Sequence, residues 1–175
     1  MNVRLSVTTL ALLVAPAMAG AQQSAPVASA FREYAAMSGK NLIAAAEAMP
    51  ADKYTFKPTP AQMSFADIMV HLAQGNDYLC GVIGGAKAPT RTPVAASANK
   101  EALLARLKET FAFCDQSLAS LDDAKLSTET NMFGKNRSLA EIEILTVGDW
   151  ADHYSQFANY MRINGLVPPT AKKSM

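Results

Sequence analysis

GDWADHYSQFANYMRINGLVPP, residues 148–169, has the pattern of the last stretch of an amphipathic helix. Gly165 stops it and Pro168-Pro169 close it off, because glycine tolerates the left-handed turn after a helix and proline cannot continue one. On a wheel of about 100° per residue, Ile142, Leu145, Asp149, His153, Gln156 and Tyr160 share one narrow stripe. Gly148, Ala151, Asp152, Ser155, Asn159 and Arg162 take the opposite side. The stripe that should be apolar therefore carries a carboxylate and an imidazole one turn apart, at a spacing that lets both touch one small object. Burying either without a partner is costly, so both need one.

Working back along the chain, the same helix opens at Ser138-Leu139-Ala140-Glu141, a capping box. Its serine oxygen takes a free backbone N–H and its acid reaches back to the cap. Three further helical patterns precede it. The first runs from Val27 to Met49 and ends before Pro50. The second begins at Ser64-Phe65-Ala66-Asp67, a second capping-box start, and runs to Ile83 before Gly84-Gly85. The third starts near Ser97 or Asn99 and ends near Leu121, with Leu104, Leu107, Phe111, Cys114, Leu118 and Leu121 at alternating three- and four-residue steps. The loops carry Pro58, Pro60, Pro89, Pro93 and Gly134, and no period-2 strand pattern stands out. Four amphipathic helices of about 20 residues predict an all-α, four-helix bundle.

Hydrophobic residues make up 50% of the 175, enough for one domain with a real core. The formal net charge of +1 and the scattered lysines and arginines argue against a nucleic-acid partner. At the N-terminus, Arg4 precedes the apolar LSVTTLALLVAPA and the small residues AMAGA. That is the layout of a secretory signal peptide, residues 1–21, cleaved after Ala21. Residues 22–175 form the mature domain, with periplasmic or secreted location as the expectation. After residue 21 no apolar run reaches the roughly 20 residues that cross a bilayer. Two cysteines, Cys80 and Cys114, in an exported chain suggest a disulfide, against the alternative of two buried thiols. A bridge constrains topology. In antiparallel helices the two would stand about ten residues, roughly 15 Å, apart. A bridge therefore implies parallel second and third helices and an up-down-down-up order.

The chain has two histidines, His71 and His153. His71 shares its stripe with Gly75, Tyr78 and Val82 and faces the bundle. Two readings compete. Asp149 can bond the imidazoles in a satisfied polar core, or His71, Asp149 and His153 can hold a divalent metal; two imidazoles and a carboxylate suit zinc, nickel or iron. Asp67, one turn before His71, is either the capping acid or an acceptor that orients the imidazole. Tyr78, Gln156 and Tyr160 are candidates to contact a substrate, although core tyrosines are common. Trp150 and the methionines read as packing, and Arg162 as a surface or helix-end residue.

SFADIMVHLAQGNDYLC and DHYSQFANYMRINGLVPP, with YTFKPTP between the first two helices, resemble the DinB/YfiT-like family over the whole mature chain. The resemblance implies a four-helix bundle with a metal held by three histidines. His71 matches the helix-2 position, His153 the second place of a His-x-x-x-His pair, and Gln156 a glutamine common there. Asp149 stands at the pair's first place, where the family has histidine. The implied site is thus either a two-histidine, one-carboxylate set or a degenerate one. The family includes metal-dependent thiol transferases, which implies transferase or hydrolase chemistry on a small-molecule substrate. The alternative is a non-catalytic periplasmic binding module. Pairing of two copies through an exposed helix face is left open.

Overall fold

Short polar side chains set where three of the four helices begin. The computed structural model describes residues 25–172, so the expected signal peptide lies outside the described residues. Helix α1 (Pro26–Ala48) opens with proline and has no side-chain cap of its own. Its first free N–H groups, on Val27 and Ala28, donate instead to the carboxylate of Asp123 at 3.2 and 2.7 Å. Ser64 caps α2 (Phe65–Gly84) in a full capping box with Asp67. The Asn99 side chain accepts from Ala102 N at 2.9 Å to start α3 (Lys100–Leu118). Ser138 and Glu141 form the second box at the head of α4 (Leu139–Ile163). The helix limits match expectation within one or two residues, except at the end of α3. There Ala119 and Leu121 bond back three residues, so the chain tightens into turns before Leu121.

The polar segment between α3 and α4 holds what the sequence pattern did not predict, an antiparallel hairpin of β1 (Glu129–Met132) and β2 (Lys135–Ser138). Each strand has four residues and is largely polar and exposed, too short to show alternation. Phe133 and Gly134 form its two-residue tip, with φ of 53° and 77°. Positive φ at both positions is the turn that follows the strands' natural twist.

Contacts fix the helix directions. Asn76 meets Thr110 and Cys80 is disulfide-bonded to Cys114, with Cα atoms 5.1 Å apart. One turn on, Gly84 abuts Ser117, where an added Cβ would overlap the Ser117 carbonyl oxygen. The near-constant offset means α2 and α3 run parallel. Gly39 touches Phe111, and Lys100 Nζ donates to the carbonyl oxygens of Glu47 and Met49, so α1 is antiparallel to α3. His71 and Gly75 face His153 and Asp149, so α4 is antiparallel to α2. The order is up-down-down-up, with the disulfide formed.

The core centres on Trp150, which is fully buried. Phe31 and Phe111 approach it with ring centroids 6.0 Å away. Its indole N–H donates to Asn76 Oδ1 at 2.8 Å, and Asn76 Nδ2 donates to Thr110 Oγ1 at 3.3 Å. One polar chain thus links α4, α2 and α3 across the core. Trp150, Phe157 and Met161 carry the buried face of α4, rotated from the stripe expected for it. Leu145 is 43% exposed and Glu143 is buried. The larger apolar side chains decide which face turns inward, and the narrow stripe lies at its margin.

Candidate metal centre

That rotation puts the polar residues in the cleft between α2 and α4 rather than deep in the bundle. The His153 side chain is 8% exposed, Asp149 28% and His71 48%. His71 is therefore not interior, as its stripe suggested, but on the outer side of the cleft. The two rings nevertheless face each other, with centroids 4.7 Å apart at 66°. Asp149 Oδ1 lies 3.4 Å from His71 Nε2 and 3.3 Å from His153 Nε2. One ligand atom from each of the three residues lies within 4.8 Å of the others. Gly75 leaves the space beside Asp149 clear: a Cβ there would stand 3.8 Å from Asp149 Oδ2.

These distances bear on whether the residues suit a metal. An N–H···O bond is commonest near 2.9 Å and a charge-assisted one is shorter. Ligands about 2.1 Å from a tetrahedral ion stand about 3.4 Å from one another. The observed 3.3 and 3.4 Å are long for hydrogen bonds and close to that ligand separation. Nδ1 of His153 is buried with no hydrogen-bond partner among the described residues. The donor set therefore fits a divalent ion of the zinc, nickel or iron type, and the three side chains make a possible metal site.

Electrostatics tie the group together. Burial alone would raise the Asp149 carboxyl, but bonding and charge from His153 and then His71 outweigh it and hold it below the usual range. Burial would lower His153, yet the Asp149 carboxylate, with smaller help from Asp152 and Gln156, lifts the imidazole above its ordinary value.

The other candidates take different parts. Asp67 accepts from the Ser64 hydroxyl and backbone, which holds it below the usual carboxylate range; it is the capping acid. Gln156 Nε2 donates to Asp152 at 2.8 Å, on the cleft's margin. Tyr160 is buried, and its hydroxyl donates to the Met63 carbonyl at 2.9 Å, tying the loop before α2 to α4. Burial raises its phenol, and that bond makes it a structural tether. Tyr78 is half-exposed against Phe133 at the hairpin tip, with centroids 5.4 Å apart. Two residues escaped notice in the sequence. Asn76 braces Trp150 from behind the cleft; its signal was a polar side chain one turn before Cys80 on the inward face. Glu143 is buried on α4 with Oε1 unpartnered, and no periodicity pointed to it.

The family model for the DinB superfamily matches residues 36–159. No curated protein matches. Among solved structures, a DinB-like protein of Bacillus subtilis is 19% identical, with a TM-score of 0.66, over 83% of this chain and 99% of the other. A DinB-like protein of Bacillus cereus is 14% identical, with a TM-score of 0.68, over 81% of this chain and 95% of the other. At such identities the likeness is one of fold.

Proposed function

The chain belongs to the DinB superfamily, and from that premise we propose that it is an exported protein holding one divalent metal ion between His71, Asp149 and His153 for transfer or hydrolysis on a small substrate. The observation that carries this reading is the single carboxylate oxygen set 3.3–3.4 Å from two imidazole nitrogens in an open cleft. His153 is the buried anchor, Asp149 the shared bridge, and His71 the outer arm beside solvent. An ion held there would supply Lewis acidity, making a water or thiol a nucleophile near neutral pH. Asp149 in place of histidine adds a negative ligand, so the set would be a two-histidine, one-carboxylate one. The formed disulfide supports export to an oxidising compartment, the periplasm being our assignment.

The test is metal content of the purified protein and zinc titration, on wild type and His153→Ala, with a thiol-transfer assay beside them. One equivalent of metal in wild type, lost in the variant, supports the site. No uptake by wild type refutes it. One observation favours a second reading, non-catalytic holding of a metal or small ligand. Nδ1 of His153 has no acceptor among the described residues, whereas an imidazole bound to a metal usually has one, which favours a small ligand over a resident ion. Metal at one equivalent without turnover would select that reading.

A further inference from the structure

A groove of about 640 Å³ runs along α2 beneath the segment from Ala86 to Val94. That volume lies in the range of sites for drug-sized molecules. Its surface is largely apolar, with Met69, Ala73 and Leu103 among its lining. Its far wall is pinned, because Ala86 N donates to Gly81 O at 2.9 Å and an added Cβ on Gly81 would meet the Ala86 oxygen at 2.8 Å. The two cations that line it are already neutralised. Arg91 forks onto Asp77 at 2.7 and 3.1 Å, and Arg106 bonds Glu109 at 3.2 Å and the Thr92 carbonyl at 2.8 Å. The groove therefore asks for a neutral occupant rather than an anion.

Tyr78 joins this groove to the metal cleft. It lines the groove, and it lies two turns beyond His71 on the same side of α2. Because α2 and α4 are antiparallel, Tyr78 comes level with Leu145, one turn before Asp149 and also exposed. Phe133 reaches Tyr78 from the hairpin tip while 79% exposed. Its φ of 53° is a backbone state that costs an L side chain stability, and asparagine or glycine is the usual choice there. An aromatic ring kept at a strained position, with little burial to offset it, points to a role outside the fold.

We propose that this groove, with Tyr78 and Phe133 as its lip, is the subsite for the body of the substrate: a neutral, largely apolar small molecule whose polar end reaches the cleft. The assignment rests on the metal-site reading above and adds the substrate class.

The probe is N-phenyl-1-naphthylamine, a neutral fluorophore, titrated into the intact mature protein with and without zinc. Wild type is expected to bind one equivalent saturably. Phe133→Asn should weaken the probe at least fivefold while raising the melting temperature, since asparagine suits the turn. Ala88→Arg should fill the groove and weaken it at least tenfold. Both variants should keep wild-type zinc uptake, and His153→Ala should lose zinc but keep the probe. Unsaturable binding by wild type, or either groove variant within twofold of wild type, overturns the subsite. Zinc uptake without probe binding refutes the groove alone. Probe binding without zinc uptake refutes the metal reading and takes the substrate assignment with it.

Discussion

Glu143 offers the sharpest quantitative test of the fold. It is 4% exposed, in the face of α4 that packs into the bundle. Burial, with the Asp123 carboxylate adding to it, pushes its pKa to about 7, against the opposing charge of Arg32. Oε1 has no hydrogen-bond partner among the described residues, as suits a carboxyl held neutral. The sign follows from proton counting. Between the unfolded value of 4.5 and about 7 the native state holds a proton that the unfolded chain releases. Stability from this group is therefore fully present below the unfolded value and is lost as pH rises through the folded one. At about 1.4 kcal/mol per unit the loss is on the order of 3 kcal/mol above pH 8. Glu143→Gln mimics the neutral acid and should be close to wild type at pH 4.5. At pH 8 it should be more stable by roughly 2–3 kcal/mol, from urea unfolding midpoints with unchanged slopes. Subtracting the two proteins' pH profiles cancels titrating groups that they share, including the cleft histidine. A difference that does not change between pH 4.5 and 8 would refute the reasoning.

Three other perturbations probe the frame that holds the cleft. Opening the Cys80–Cys114 bridge frees a loop spanning a sequence separation of 34, so reduction or Cys80→Ser with Cys114→Ser should cost about 3–4 kcal/mol, read from denaturant midpoints with and without reductant. Trp150→Phe strands Asn76 Oδ1 without its donor and should cost about 1–3 kcal/mol in the same assay. Gly84→Ala drives a Cβ into the Ser117 backbone; a loss of about 1–3 kcal/mol or more is expected, and a neutral result would mean the α2–α3 spacing is slack.

How far the sequence could be read depended on whether local or tertiary forces decided each feature. Helix starts were legible because Ser64 and Ser138 act through bonds three residues away. Helix order was legible because one covalent link, Cys80–Cys114, converts a spacing into a direction. His71, Asp149 and His153 were legible as a set because polar groups on a helix stripe need partners, and few others were on offer. The depth of that set was not. The wheel treats a stripe as core, whereas Trp150, Phe157 and Met161 claimed the interior of α4 and turned Asp149 toward the surface, as Ile68, Met69 and Leu72 did for His71 on α2. The cap on α1 was invisible because Asp123 supplies it from far along the chain. The hairpin was hidden in polar residues whose pairing depends on a two-residue tip with an unlikely occupant, Phe133.

The arrangement explains how a surface cleft can still be stiff enough to position three side chains. Parallel α2 and α3 are joined by the disulfide and by helix backbones so close that Gly84 admits no side chain. That pair is the platform, and α2 presents His71 from it. Helix α4 is keyed to the platform by the Trp150–Asn76–Thr110 chain. Trp150 is the residue directly after Asp149, so the bond that fixes the depth and rotation of α4 also fixes the carboxylate. His153 follows one turn on. Phe65 stacked on Phe157 at 3.9 Å then locks α4 against α2 one turn beyond His153. The cleft side chains are thus bracketed on α4 by a polar key before them and an aromatic stack after them. Rotating α4 by a single residue would break both contacts along with the site. A ligand set held on two such helices needs no deep burial to keep its geometry, and its open side remains free for a substrate.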